Sequence, residues 1–259
     1  MILAVDIGNS HIVIGGIQDG RILFRARLVT EDTKTSDQYM MDIKNLCDVY
    51  GVSRQDVEGT IIASVVPQVL NSMQSAVRKY TGKSAMTVGP GIKTGLNILL
   101  ENPAQMGADL VVADVAALRE YTPPLILIDM GTATTFGVID RKGAHIGGCV
   151  CPGIRVSLNA LTEKAALLPA IQIDRPKRVI GRNTAEAMRS GVMFGTACMI
   201  DGMIDRIEEE LGFGTTVVAT GSMAQFVTPL CRHEILYDKD LILKGLAILY
   251  RENTRRMKP

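Results

Sequence analysis

The sequence has no excess of charge of either sign. Its 28 lysines and arginines face 27 aspartates and glutamates, so no basic field draws in nucleic acid, and no basic run exceeds the Arg255-Arg256 pair. It also lacks any apolar run near the ~18 residues of a membrane span. The opening Met1-Ile2-Leu3-Ala4-Val5 runs straight into Asp6 without a basic region or a small-residue cleavage site, and reads as a strand rather than a leader. The five cysteines, Cys47, Cys149, Cys151, Cys198 and Cys231, form no repeated pattern. They point to a reducing cytosol, and Cys149 and Cys151 read as small strand hydrophobes rather than metal ligands. What remains is a polypeptide of 259 residues, 47% hydrophobic, long enough for two ordinary domains with their own cores.

An internal repeat organises those two domains. Leu3-Ala4-Val5-Asp6-Ile7-Gly8-Asn9-Ser10 opens the first half, and Leu127-Ile128-Asp129-Met130-Gly131-Thr132-Ala133-Thr134 opens the second. A shift of 123 positions superposes Asp6 on Asp129, Gly8 on Gly131 and Gly20 on Gly143. Each copy continues as a hairpin, with strands over 12–17 and 22–28 in the first and over 135–139 and 144–150 in the second. Helical spacing of apolar residues follows at 37–50, 69–80 and 106–120, with a buried strand at 61–66. In the second half helices are predicted at 155–165, 184–211 and 241–252, with a strand at 216–219. A β-meander followed by crossover helices, written twice, predicts two α/β lobes, 1–120 and 121–259, hinged near Tyr121-Thr122-Pro123-Pro124.

A strand that ends in Asp-x-Gly before small hydroxyl or amide residues suits phosphate. The glycine exposes backbone N–H groups, Ser10, Thr132 and Thr134 offer hydroxyls, and the aspartate suits a hydrated cation riding on the phosphates. One such turn is an ordinary hairpin. Two, each closing the first strand of its lobe, can hold one triphosphate between them.

The pair of turns resembles the superfamily of actin, hexokinases, acetate kinase and chaperone ATPases. That resemblance implies ribonuclease-H-like, actin-like lobes with an ATP cleft between them. It also implies that the Asp6–Ser10 turn lies by the β- and γ-phosphates, Thr132 by the second phosphate element, and Gly221 of Val217-Val218-Ala219-Thr220-Gly221-Ser222 by adenosine. More specific motifs occur in order: Asn102-Pro103-Ala104-Gln105-Met106-Gly107-Ala108-Asp109, Asp129-Met130-Gly131-Thr132-Ala133-Thr134-Thr135, Gly147-Gly148 with Pro152-Gly153-Ile154, and Gly181-Arg182-Asn183-Thr184. Together they resemble the type III pantothenate kinases along nearly the whole chain.

That family resemblance implies ATP-dependent phosphorylation of the primary hydroxyl of pantothenate, at the start of coenzyme A synthesis, by a cytoplasmic homodimer. It implies ATP contacts from Asp6, Ile7, Gly8, Asn9, Ser10, His11, Ile12 and Val13, with Mg2+ held through Asp6, and a general base at Asp109. It implies a monovalent cation, potassium or ammonium, at Asp129. The acceptor site falls on Leu100, Gly107, Ala108, Asp109 and Leu110, with Thr184 reaching in from the partner subunit or capping its own helix. Two positions depart from the family: Leu110 stands where the Gly-Ala-Asp motif continues with arginine, and Leu100 where tyrosine is usual. Both family residues touch pantothenate, so a weakly active regulatory relative, or a kinase for another small hydroxyl compound, is the alternative. A phosphatase of the exopolyphosphatase branch fits less well, because its second phosphate turn is typically richer in glycine.

Overall fold

The computed structural model describes residues 1–257, with side chains through Arg255. The last two residues of the expected 121–259 lobe and the Arg256 side chain of the basic tail lie outside the described residues. The chain forms two compact units. One comprises Met1–Leu96, Glu101–Glu120 and the chain from Asp240 onward, and the other comprises Asn97–Leu100 and Tyr121–Lys239.

In the first unit, β1 (Ile2–Ile7), β2 (His11–Gln18) and β3 (Arg21–Val29) form an antiparallel meander. To it are added β4 (Gly59–Ser64), parallel to β1, and the short β5 (Met86–Thr87), in the order β3-β2-β1-β4-β5. Helices α1 (Ser36–Val49) and α2 (Pro67–Thr81) pack on one face, where Tyr39, Ile43, Met73 and Val77 meet Leu3, Val5 and Ile62. Thr35 starts α1 through a capping box with Gln38, and Gly82 ends α2 in the left-handed conformation. Helices α3 (Ala108–Glu120) and α7 (Leu241–Met257) cover the other face, burying Val112, Val115, Leu243 and Leu246 on Ile2, Ala4 and Ile61. Covered on both faces, β1 is apolar almost throughout, whereas the edge strand β3 alternates, burying Phe24 and Ala26 and exposing Arg21, Leu23, Arg25 and Arg27.

The terminal helix is the main departure from the sequence grouping. It follows the second repeat in the chain, yet it packs with the first unit. A Cβ on Gly245 would collide with the Val112 carbonyl, so the bare glycine lets α7 lie directly on α3.

The second unit repeats the plan. Strands β7 (Leu125–Met130), β8 (Ala133–Ile139) and β9 (Ala144–Pro152) form the meander, β10 (Thr216–Thr220) runs parallel to β7, and the two-residue β6 (Asn97–Ile98) and β11 (Leu236–Tyr237) lie at the edges. Helices α4 (Ile154–Lys164), α5 (Thr184–Leu211) and α6 (Ala224–Val227) bury Ile154, Met193, Ile200 and Ala224 with Ile126, Ile128 and Phe136. Gly20 and Gly143 close the two equivalent hairpins with φ of 83° and 79°. The repeat differs in one detail. Asp6 pairs with Val13 but Asp129 pairs with Thr135, so the second turn is one residue tighter.

Candidate active site

In the first unit, β1 delivers Asp6 to the end of the sheet, between Val13 of β2 and Ala63 of β4. The chain then turns through Gly8, Asn9 and Ser10, where the Gly8 N–H donates to the His11 carbonyl at 3.0 Å. The strand after the hairpin braces this turn: the Thr30 hydroxyl donates to the Gly8 carbonyl at 2.7 Å and its N–H to the Ser10 carbonyl at 3.1 Å. Asn9 and Ser10 are exposed, Asp6, Gly8, His11 and Val13 are half-buried, and Ile7 and Ile12 are buried in the core. The latter two therefore offer only backbone atoms to a ligand.

The same unit carries the Gly107-Ala108-Asp109 motif. Asn102 accepts the Ala104 N–H at 3.2 Å and shapes the short 3-10 turn Pro103–Gln105 that leads into α3. Asp109 lies in the first turn of that helix, its Oδ1 accepting the Leu110 N–H at 2.9 Å. A Cβ on Gly107 would strike this same Oδ1, so the glycine leaves the carboxylate its space. Burial pushes the Asp109 carboxyl above the usual carboxylate range, against the smaller opposite pull of backbone N–H groups. Among the described residues no cation pairs with it. A carboxylate held costly to ionise is a proton acceptor poised nearer neutrality than an exposed one. Leu110, the next residue, is half-buried.

In the second unit, β7 delivers Asp129 between Thr135 of β8 and Thr220 of β10. Its turn is held by the Gly131 N–H on the Ala133 carbonyl at 2.9 Å and by the Gly153 N–H on the Thr132 carbonyl at 3.1 Å. Gly221, the next residue after β10, crosses directly against this turn. With φ of 92°, it has no room for a side chain, because a Cβ would lie 2.5 Å from Asp129 Oδ1 and 2.6 Å from the Met130 nitrogen. The expected adenosine motif and the expected second phosphate motif thus lie side by side. Thr132 is exposed in the turn. Thr134 is not available there. It pairs with Met130, so its side chain lies on the opposite face of the sheet from Asp129, buried, with its hydroxyl unpartnered.

Leu100 lies in this unit just after β6, where the Leu99 N–H donates to the His145 carbonyl at 2.8 Å. Thr184 is the exposed first residue of α5, and the capping role proposed for it falls to Asn183, whose side chain accepts the Glu186 N–H at 2.9 Å. Cys149 and Cys151 are half-buried strand residues beside the second core. No cluster of three or more acidic, histidine or cysteine residues suited to a metal occurs among the described residues.

Known proteins resemble this chain in sequence and in fold. The family model described as type III pantothenate kinase matches residues 2–206. A protein of Halalkalibacterium halodurans named type III pantothenate kinase is 40% identical over 253 residues, 98% of this chain and all of that relative. Among solved structures, the activator of the 2-hydroxyisocaproyl-CoA dehydratase from Clostridium difficile, with ADPNP bound, superposes with a TM-score of 0.60 at 12% identity, covering 100% of this chain and 98% of that one. The ROK hexokinase of Thermus thermophilus does so with a TM-score of 0.50 at 15% identity, covering 97% and 99%. The latter two likenesses show the fold alone, an α/β fold with two mixed sheets.

Proposed function

This chain belongs to the type III pantothenate kinase family, and on that premise we propose that it transfers the γ-phosphate of ATP to the primary hydroxyl of pantothenate. The observation that carries the reading is Asp109, a half-buried carboxylate with a raised proton affinity and no cationic partner among the described residues, in the motif that family likeness assigns to the acceptor. In the proposed step Asp109 accepts the hydroxyl proton, the freed oxygen bonds to the γ-phosphorus, and the bond to the β-phosphate oxygen breaks to release ADP.

The first turn, Asp6 to Val13, serves the phosphates through its backbone N–H groups and the Asn9 and Ser10 side chains, with Thr132 and Gly221 serving the nucleotide from the second unit. Asp6 suits Mg2+ because a single half-buried carboxylate leaves a hard cation room for phosphate oxygens and water. That ion would neutralise charge on the phosphates during transfer. Asp129 is the proposed holder of potassium or ammonium, supported by its carboxylate lying against the bare backbone of Gly221. A homodimer with Thr184 reaching the partner's acceptor site is supported by exposed apolar residues in the same stretch, with Leu167 94% and Ile180 82% exposed. Five free cysteines suit a reducing cytoplasm, and no described helix is long and apolar enough to cross a membrane.

A second reading is favoured by one specific observation. Leu100 and Leu110 offer hydrocarbon where the family offers a phenol and a guanidinium, which suits an acceptor without a carboxylate, or a regulatory relative. Incubating purified protein with ATP in potassium buffer, with and without pantothenate, tests both. Pantothenate-dependent release of ADP supports the kinase. ATP binding without any pantothenate-dependent turnover supports the second reading.

A further inference from the structure

We infer that Arg27 is a phosphate-binding residue of the first turn, its guanidinium neutralising charge on the nucleotide that Asp6 to Val13 hold. The inference rests on the reading of that turn as the ATP site, and goes beyond it by adding a residue from the strand after the hairpin.

Three observations carry it. The end of β3 is bonded to the turn itself, through the Thr30 hydroxyl on Gly8 and the Thr30 N–H on Ser10. Register then fixes which way Arg27 faces. Arg27 pairs with Val13, and Val13 pairs with Asp6. Residues directly opposite one another share a face, so all three side chains project to the same side of the sheet. Two strand spacings place the Arg27 and Asp6 Cα atoms about 10 Å apart, a gap suited to an arginine reaching toward a phosphate whose Mg2+ lies at Asp6.

The third observation is charge. Asp6 is negative, and backbone dipoles alone answer little of the charge of a triphosphate. The neighbouring cations are engaged: Arg25 lies 3.9 Å from Asp240, and Lys34 bonds Glu31 and Asp42 at 2.9 and 3.1 Å. Arg27 is exposed, and among the described residues it makes no hydrogen bond or ion pair. A planar, permanently charged donor beside a phosphate turn matches phosphate oxygens better than a lysine would. Arginine on an edge strand can also serve merely to discourage pairing with another sheet. Arg21, at the far end of the same strand opposite Gln18, provides the comparison.

The test is calorimetric titration of the full chain with MgATP, and with adenosine by competition, for wild type, Arg27→Ala, Arg27→Lys and Arg21→Ala. Arg27→Ala should weaken ATP about tenfold or more, the effect of one charge-assisted contact, while leaving adenosine unchanged. Arg27→Lys should recover part of the loss, and Arg21→Ala should match wild type. ATP affinity within about twofold of wild type in Arg27→Ala overturns the inference. So does an equal loss for adenosine, which marks a structural role. Failure of wild type itself to bind ATP overturns the site reading, and the inference with it. If Arg27→Ala does not fold, Arg27→Gln carries the same comparison.

Discussion

Replacing Asp109 with asparagine separates chemistry from folding, because the two should move in opposite directions. The substitution keeps size and shape and leaves an oxygen to accept the Leu110 N–H now held at 2.9 Å. It removes only the ability to ionise. As general base, Asp109 should contribute about 10²–10⁴-fold to turnover, and Asp109→Asn should lose that in kcat while MgATP still binds. Stability should change the other way. Burial raises the carboxyl's proton affinity in the folded chain, so this group stabilises the fold below the unfolded carboxylate range, and that contribution is lost as pH rises through the raised folded value. At neutral pH the wild-type protein holds a charge its surroundings disfavour. The asparagine variant does not, and should melt higher, each kcal/mol recovered shifting Tm by about 2–4 °C. The same shift places the acid limb of wild-type kcat/KM above pH ~4, the range of an ordinary aspartate. Kinetics and thermal melts at pH 7 check both halves. An Asp109→Asn variant with near wild-type kcat would reduce Asp109 to a helix-start residue, and one that melts lower would refute the burial argument.

Leu110→Arg should lower the Michaelis constant for pantothenate about tenfold, the effect of one charge-assisted contact. Loss of turnover or folding instead would signal a less polar acceptor, since the added charge would then be buried unpaired. Gly221→Ala forces a Cβ to within 2.5 Å of Asp129 Oδ1 at φ 92°; it should cost on the order of 2–4 kcal/mol by denaturant melt and weaken nucleotide binding. Asp129→Ala should abolish any preference for potassium or ammonium over sodium in steady-state turnover, and an unchanged salt response would remove the cation from that position. Sedimentation at micromolar concentration should give about twice the 28.0 kDa chain mass, and a turning-over monomer would mean that Thr184 serves its own chain.

The repeat made much of this fold legible. Helix α5 was readable to its ends, Thr184 and Leu211, and the hairpin glycines fell where positive φ is required. The helix predicted at 241–252 extends to Met257, and its placement with the first unit was not legible, because helical periodicity marks an apolar face but not what it covers. Two-residue strands such as β6 and β11 carry too little pattern to be seen. Of the proposed site residues, Asp6, Asp109 and Asp129 were singled out by motif. The burial of Thr134 on the face opposite Asp129 depends on a single residue of register, because the second turn is one residue shorter than the first. Thr30 was missed. Its signal, a threonine just past an edge strand, acquires meaning only once the strand end is seen bonded to Gly8.

The most direct test of the account is to incubate the purified protein with MgATP and pantothenate in potassium buffer and to follow both products by mass spectrometry. The account predicts phosphorylated pantothenate and ADP in equal amounts, absent in the Asp109→Asn protein. Release of ADP without phosphorylated pantothenate, or none of either from a protein that binds ATP, would contradict it.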